Sequence, residues 1–168
     1  MSELRLAAVK EGVRFGSCGV PAIDELAENA YEKTLFKQVA AYHVVVDNVV
    51  VGGCMIRFVT IVDEEYCIDD FTYAAIEITY IAIEKKFQHH GFGRRALDIL
   101  VQEAQRISRI LPIRFLVLEA LQDKKEWYET AGFREYPRKM DARYPHTVPM
   151  CMDFIDKEAV DQYVERVC

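Results

Sequence analysis

Apolar and polar residues recur along the chain with two different periods, and each period predicts one kind of element. Runs rich in β-branched and other apolar residues predict strands at Leu4–Val9, Val39–Val46, Val49–Ile61, Ile76–Ile83, Ile113–Leu118, Phe133–Tyr136 and Val148–Phe154. Apolar residues three and four positions apart predict helices at Pro21–Leu35, from the residues after Gly93 to Ile107, at Lys124–Thr130 and at Lys157–Val167. This order favours one mixed α/β sheet that is layered by helices.

Two turn signals refine this picture. Asp47-Asn48 separates the second and third strands, and this pair is typical of a tight hairpin between antiparallel neighbours. Gly132 follows the short third helix, where a glycine commonly forms the C-cap.

Length and composition indicate a single folded domain. The chain has 168 residues, of which 51% are hydrophobic, so we treat residues 1–168 as one domain that needs neither a disulfide nor a metal to fold. Five cysteines, an odd number without C-x-x-C spacing, favour free thiols in a reducing cytoplasm. No apolar run reaches the roughly 18–20 residues that span a bilayer, so we expect no membrane association.

The charge balance argues against one class of partner. The chain has 21 basic and 27 acidic residues and a net charge of −6, whereas proteins that bind nucleic acid through phosphate contacts are usually basic. Nucleic acid is therefore a disfavoured partner, although local basic runs are judged separately.

The most informative motif is a glycine turn, Gln88-x-x-Gly91-x-Gly93, between a strand and a helix. Backbone N–H groups and the positive end of the helix dipole converge at such a point. The two glycines let the backbone approach a pyrophosphate closely, and Arg94 and Arg95 add positive charge. The turn therefore predicts a phosphate site, although a tight turn with two solvated arginines is the simpler alternative.

These residues resemble the signature of the acetyl-CoA-dependent N-acetyltransferase superfamily, GNAT. A second landmark is similar as well, the aromatic pair Trp127-Tyr128 shortly before Gly132-Phe133. The resemblance implies an α/β fold with a mostly antiparallel central sheet of about six to seven strands and helices on both faces. It also implies that acetyl-CoA is the co-substrate and that no metal is used.

The resemblance further implies where acetyl-CoA binds. The pantetheine arm is expected to pair with backbone groups of β-strand residues Ile81, Ala82 and Ile83. The pyrophosphate is expected to contact the turn, whose residues are Gln88, His89, His90, Gly91, Phe92, Gly93, Arg94 and Arg95. The two adjacent histidines lack a third ligand, so solvated loop residues are the better interpretation.

Transfer of an acetyl group to an amine needs a base and an acid. Glu77 lies in an apolar strand at the position where histone-acetylating members carry their base, and simple alternation places it on one face with Thr79 and Ile81. Tyr128 is the candidate acid, with Tyr80 in reserve. An outward-pointing glutamate and a packing tyrosine are the alternatives. Cys151 has no evident paired base, which favours direct transfer.

The acceptor is open at this stage. A small-molecule or peptide amine is the first hypothesis, and the acidic runs Asp63-Glu64-Glu65 and Asp69-Asp70 could attract a cation. The second is a toxin-type enzyme acting on aminoacyl-tRNA. The segments that resemble such toxins are Phe15 to Gly19, Ala22 to Leu26 and Pro149-Met150, and a local basic edge could form from Arg134, Arg138, Lys139 and Arg143. The third is a non-catalytic acyl-CoA-binding module. A homodimer through the terminal helix, which carries Tyr163-Val164, is a further hypothesis.

Overall fold

The described residues form a seven-stranded mixed sheet in the order β1-β2-β3-β4-β5-β7-β6. The computed structural model describes residues 3–63, 71–136 and 146–167. The strands are β1 Leu4–Ala8, β2 Ala40–Val46, β3 Val49–Asp63, β4 Phe71–Ile83, β5 Ile113–Leu121, β6 Arg134–Glu135 and β7 Thr147–Asp153. β4 and β5 are parallel and all other neighbours are antiparallel, which confirms the mostly antiparallel sheet.

Helices cover both faces of the sheet. They are α1 Pro21–Glu28, α2 Ala30–Leu35, α3 Phe92–Ser108, α4 Lys125–Glu129 and α5 Lys157–Val167. Leu97 and Leu100 of α3 pack on one face of β4, against Ile76 and Ile78. On the other face, α1 and α2 contribute to a cluster around Met55. None of the helices in the described ranges is long and apolar enough to cross a membrane.

The helix expected at Pro21–Leu35 is two helices. The break is at Asn29, whose φ and ψ are −95° and 6°. The Asn29 Nδ2 group donates a hydrogen bond to the Glu25 carbonyl, and such local bonds compete with helix continuation. As a result Leu35, expected on the buried stripe, is 63% exposed.

The hairpin prediction is confirmed at Asp47-Asn48. Both residues have positive φ, 47° and 67°, as the two-residue hairpin turn requires, and Val46 pairs with Val49. Three cysteines, Cys18, Cys54 and Cys151, are free and buried. The other two cysteines, the acidic run from Glu64 to Asp70 and three members of the predicted basic edge lie outside the described residues.

A one-residue bulge in β4 changes which residues share a face. Pairing between β3 and β4 shifts so that Met55 pairs with Tyr80 and Ile56 with Ile78, which leaves Thr79 without a partner residue. Ile81 therefore packs on the α3 side together with Ile78.

The expectation that Glu77, Thr79 and Ile81 share one face is wrong for this reason. Glu77 lies between Ile76 and Ile78 in the regular part of the strand, so it points away from α3. Tyr80 and Ala82 lie on that second face too, in the cluster with Met55.

Candidate active site

β4 and β5 separate at the level of the bulge. Their pairing runs from Ala74 with Ile113 to Ile78 with Leu118 and ends there. Beyond that point β4 continues beside β3 up to Ile83, whereas β5 continues beside β7. The backbone of residues 79–83 therefore has one edge without a strand neighbour among the described residues. An extended ligand chain can pair with this edge as an additional strand would.

The glycine turn places an uncapped helix N-terminus beside this opening. Gly91 precedes α3 with φ of 76°, and no side chain caps the helix. The first intrahelical bond runs from the Arg95 amide to the Gly91 carbonyl, so the amides before it point out of the helix. A 17-residue helix adds the positive end of its dipole at the same place. The turn thus fits a pyrophosphate.

Gln88 connects the turn to the N-terminal loop. Its Nε2 group donates to the Ile83 carbonyl and to the Cys18 carbonyl, both at 2.9 Å. A second connection runs from the Lys85 amide to the Ser17 carbonyl. The Gln88 side chain is therefore engaged with the protein, and it fixes where the turn and the loop meet.

Gly93 lies where three predicted site segments meet. A Cβ placed on Gly93 would be 3.6 Å from Ile83 Cγ1 and 3.9 Å from Trp127 Cζ2, whereas one on Gly91 would meet nothing within 4 Å. The end of β4, the start of α3 and α4 are thus adjacent. The sequence pointed to the same three segments, and the structure brings them together.

The two histidines of the turn are exposed. His90 Nδ1 lies 2.7 Å from the Gln88 carbonyl, and its ring stacks on Phe92 with centroids 5.7 Å apart. No group of three or more metal-ligating residues occurs within the described ranges.

The Arg94 side chain has protein partners that the sequence did not predict. Its guanidinium donates to the Asp98 carboxylate and to the Thr130 hydroxyl and carbonyl, each at 3.0 Å. The side chain thereby holds α3 against the end of α4. The Arg94 guanidinium is therefore engaged within the protein, while Arg95 lies half-buried in the same turn of the helix.

Tyr128 lies in an aromatic cluster on α4. Its ring makes edge contacts with Trp127 at 4.7 Å and with Phe133 at 5.9 Å between centroids. Burial raises the pKa of Tyr128 to about 12, because the phenolate loses hydration. The hydroxyl therefore stays protonated at neutral pH and can only donate a proton there.

Glu77 forms an ion pair that sequence reasoning missed. Arg57 Nη2 lies 2.9 Å from each of the two Glu77 carboxylate oxygens, and the two residues are partners in the register of β3 and β4. The available signal was a single arginine inside the apolar run Met55 to Val59. A charge within such a strand needs a partner.

A cavity of about 400 Å³ lies on the α1/α2 side of the sheet. We call it the N-terminal cavity. Its walls are the loop 9–17, α1 and α2, and its floor includes His43 of β2 and Tyr80 of β4. Tyr80 is buried, and burial raises the pKa of its hydroxyl. The cavity therefore reaches the strand that carries the bulge.

Comparison with solved structures shows the same fold in several bacterial toxins. A structure described as a bacterial toxin is 15% identical over 98% of this chain and 97% of its own, with a TM-score of 0.75. The toxin AtaT in complex with acetyl-methionyl-tRNAfMet is 13% identical over 96% and 99%, with a TM-score of 0.74. A tyrosine-to-phenylalanine variant of KacT is 15% identical over 95% and 98%, with a TM-score of 0.73. At these identities the likeness concerns the fold.

Sequence comparison identifies the family. No curated protein matches the chain. The family model described as "Acetyltransferase (GNAT) family" matches residues 14–133, which is more than half of the chain and includes the glycine turn and Tyr128. Members of this family take their acetyl group from acetyl-CoA, and the uncapped turn beside the open β4 edge fits that molecule. The chain therefore belongs to the GNAT acetyltransferase family.

Proposed function

We propose that the protein transfers the acetyl group of acetyl-CoA directly to a primary amine that is bound at the same time. The observation that carries this proposal is the open edge of β4 beside the uncapped N-terminus of α3, with Gly91 at the corner. Cys151 is fully buried, so it is a poor carrier for an acetyl group, and this supports transfer without a covalent enzyme intermediate.

The proposed roles follow from charge and protonation. Glu77 accepts the proton that the amine loses when its nitrogen bonds to the thioester carbon. Arg57 keeps the Glu77 carboxylate in one orientation. Tyr128 donates a proton to the sulfur that leaves, and a backbone N–H of β4 near Ile81 or Ala82 stabilises the oxyanion.

The first candidate acceptor is the α-amino group of an aminoacyl-tRNA. It is supported by the shared fold with AtaT, which was solved with acetyl-methionyl-tRNAfMet. It is also supported by the position of the Phe15 to Gly19 segment, which resembles the opening of such toxins. The Gln88 side chain ties this segment to the glycine turn, so the segment borders the proposed donor site.

The second candidate is a small cationic amine, favoured by charge. The net charge is −6, and the N-terminal cavity includes Glu28 and Glu32 in its wall. Of the predicted basic edge, Arg134 lies 3.8 Å from the Asp153 carboxylate, which offsets part of its charge. The net field of an acidic protein attracts cations and repels nucleic acid.

One labelling experiment separates the candidates. Purified protein and acetyl-labelled acetyl-CoA are incubated with one acceptor at a time. The acceptors are total aminoacyl-tRNA, the same tRNA after deacylation, spermidine and a lysine peptide. Label in aminoacyl-tRNA and none in deacylated tRNA supports the first candidate, and growth arrest on expression should accompany it. Label in spermidine or peptide alone supports the second.

Two outcomes would overturn the proposal. A rise in melting temperature with acetyl-CoA but no labelled acceptor favours a non-catalytic acyl-CoA-binding module. No rise with acetyl-CoA or CoA removes the proposed donor site.

A further inference from the structure

The N-terminal cavity contains a buried histidine without a hydrogen-bond partner. His43 is 6% exposed, and neither ring nitrogen has a partner among the described residues. A buried polar group in a folded protein almost always has a partner. His43 lines the cavity, so the missing partner can be supplied by a molecule that enters it.

The cavity extends from β2 to β4. His43 pairs with Gly53 of β3, and Gly53 pairs with Ala82 of β4. Neighbouring strands are about 4.8 Å apart, so His43 lies roughly 10 Å from the backbone of β4. The Tyr80 side chain lines the cavity at its β4 end. A small molecule whose amine reaches β4 can therefore extend its other end to His43.

Phe15 closes the cavity over the intervening strand. A Cβ on Gly53 would lie 2.7 Å from Phe15 Cε1, so the ring rests directly on that part of β3. Val9 and Ala27 add further apolar wall. This part of the wall suits an apolar portion of a ligand, while Glu28 and Glu32 add carboxylates where α1 and α2 line the cavity.

The floor of the cavity offers a hydrogen-bonding group that suits an uncharged partner. Burial lowers the pKa of His43, so its ring is neutral at pH 7 and offers one donor and one acceptor. The Asp24 carboxylate, which also lines the cavity, already accepts bonds from the Ser17 hydroxyl and the Cys18 amide. A hydroxyl or a carboxamide offers the matching donor and acceptor, whereas a methyl group leaves the ring unpaired.

We propose that the N-terminal cavity binds the body of the acceptor and that His43 selects acceptors that carry a hydroxyl or carboxamide group. This inference rests on the proposed function, because it treats the cavity as the acceptor's place. On an aminoacyl acceptor, the recognised group belongs to the amino-acid side chain. On a free amine, it lies a few bonds from the nitrogen.

Two pairs of matched probes test the selection. L-Threonine amide and L-valine amide differ by a hydroxyl in place of a methyl group, and L-asparagine amide and L-leucine amide have similar shapes. Binding of each probe to the full chain is measured by ligand-observed NMR in the presence of CoA. We expect the polar member of at least one pair to bind about tenfold more tightly, the ratio that one net hydrogen bond supplies.

Three variants identify the residue responsible. His43→Leu should abolish the preference, and His43→Gln, which keeps one donor and one acceptor, should retain part of it. Ala27→Leu fills the cavity without changing His43, and it should weaken both members of a pair. A melting-temperature rise with acetyl-CoA checks that each variant folds, and the partial loss of preference in His43→Gln decides the test if His43→Leu does not fold.

The outcomes distinguish this inference from the proposed function, because the same protein preparations are assayed separately for acetyl transfer from acetyl-CoA to the probes and to the acceptors of the labelling experiment. Equal binding within both pairs, or a preference that survives in His43→Leu, overturns the inference even where acetyl transfer occurs. Binding of none of the probes also overturns it and indicates a water-filled cavity only. A His43-dependent preference without acetyl transfer supports the cavity as a binding site and refutes the proposed function.

Discussion

Arg57 and Glu77 face each other across β3 and β4, with Arg57 Nη2 at 2.9 Å from both carboxylate oxygens. The Glu77 side chain is 16% exposed and that of Arg57 is 34% exposed, so water reaches the pair mainly from the arginine side. The ion pair fixes the direction of the carboxylate on the face of the sheet opposite α3. The proposed base is therefore held in place before any acceptor binds.

Glu77→Gln should lower kcat by about 10²- to 10⁴-fold, the usual contribution of a general base. The amide keeps the shape of the side chain but cannot accept the proton. Steady-state kinetics with the acceptor found by labelling measures the loss. The melting-temperature rise with acetyl-CoA should be unchanged, and Glu103→Gln on the surface of α3 is the matched control.

Arg57→Met tests the positioning role separately. It should lower kcat less than Glu77→Gln does, because the carboxylate is still present but Arg57 no longer holds its direction. Equal activity of wild type and Glu77→Gln across the whole pH range would contradict the assignment of Glu77 as the base.

Tyr128→Phe should lower kcat by a similar factor and leave acetyl-CoA binding unchanged, because only the hydroxyl is removed. Since the pKa of Tyr128 is raised to about 12, its proton remains bound throughout the neutral and mildly alkaline range. The wild-type rate should therefore show no decline from this group between about pH 7 and 9. Tyr136→Phe, which alters a tyrosine packed on Phe115, is the control. If Tyr80→Phe is inactive and Tyr128→Phe is active, the acid is Tyr80.

Gly91 and Gly93 should respond differently to alanine. At Gly91 the positive φ of 76° strains any side chain, so Gly91→Ala should destabilise the fold by about 1–2 kcal/mol. At Gly93 a Cβ makes ordinary contacts inside a helix, so Gly93→Ala should leave stability unchanged or raise it by up to about 1 kcal/mol. Urea denaturation measures both effects.

Gly93→Ala should nevertheless weaken acetyl-CoA binding, because its methyl group occupies the approach to the turn. Isothermal titration with acetyl-CoA tests this. Undiminished affinity in Gly93→Ala would show that the pyrophosphate does not approach the backbone there.

His43 should make the fold less stable in mild acid. In the folded state burial lowers the pKa of His43 below its ordinary value of 6.5. Between the folded and unfolded pKa values, the unfolded chain therefore binds a proton that the folded chain does not. The contribution of neutral His43 to the free energy of unfolding is therefore complete above about pH 6.5, and it is lost progressively as the pH falls below that value. Urea midpoints at pH 7.5 and 5.5 should differ more in wild type than in His43→Gln. The same difference in both proteins would contradict this prediction.

Local signals predicted much of the fold and the position of the candidate site. Asp47-Asn48 determines its turn through two residues that tolerate positive φ, and the glycine turn carries its own backbone requirement at Gly91. Such features depend on a few adjacent residues. A single sequence is sufficient to recognise them.

Features that depend on partners distant in the chain were not predictable in this way. The bulge at Thr79 adds one residue to β4 but leaves no mark in the residue types of this apolar strand. Simple alternation therefore placed Ile81 on the wrong face. Arg94 binds Thr130, 36 residues away, and this contact exists only once α4 is packed. The Arg57–Glu77 pair likewise depends on the register of two long strands.

The hydrogen bonds of the Gln88 side-chain amide couple the local unfolding of the N-terminal loop to that of the glycine turn. It joins two segments that are 70 residues apart in sequence. The loop from Gly16 to Cys18 is also held there by hydrogen bonds from the Gly16 amide to Glu84 and from the Lys85 amide to the Ser17 carbonyl. A region secured by few long-range contacts separates from the rest at low free-energy cost. The loop that lines the N-terminal cavity and the glycine turn should thus exchange their amide hydrogens as one cooperative unit. A bound acetyl-CoA, by ordering the turn, would slow exchange in the loop without touching it.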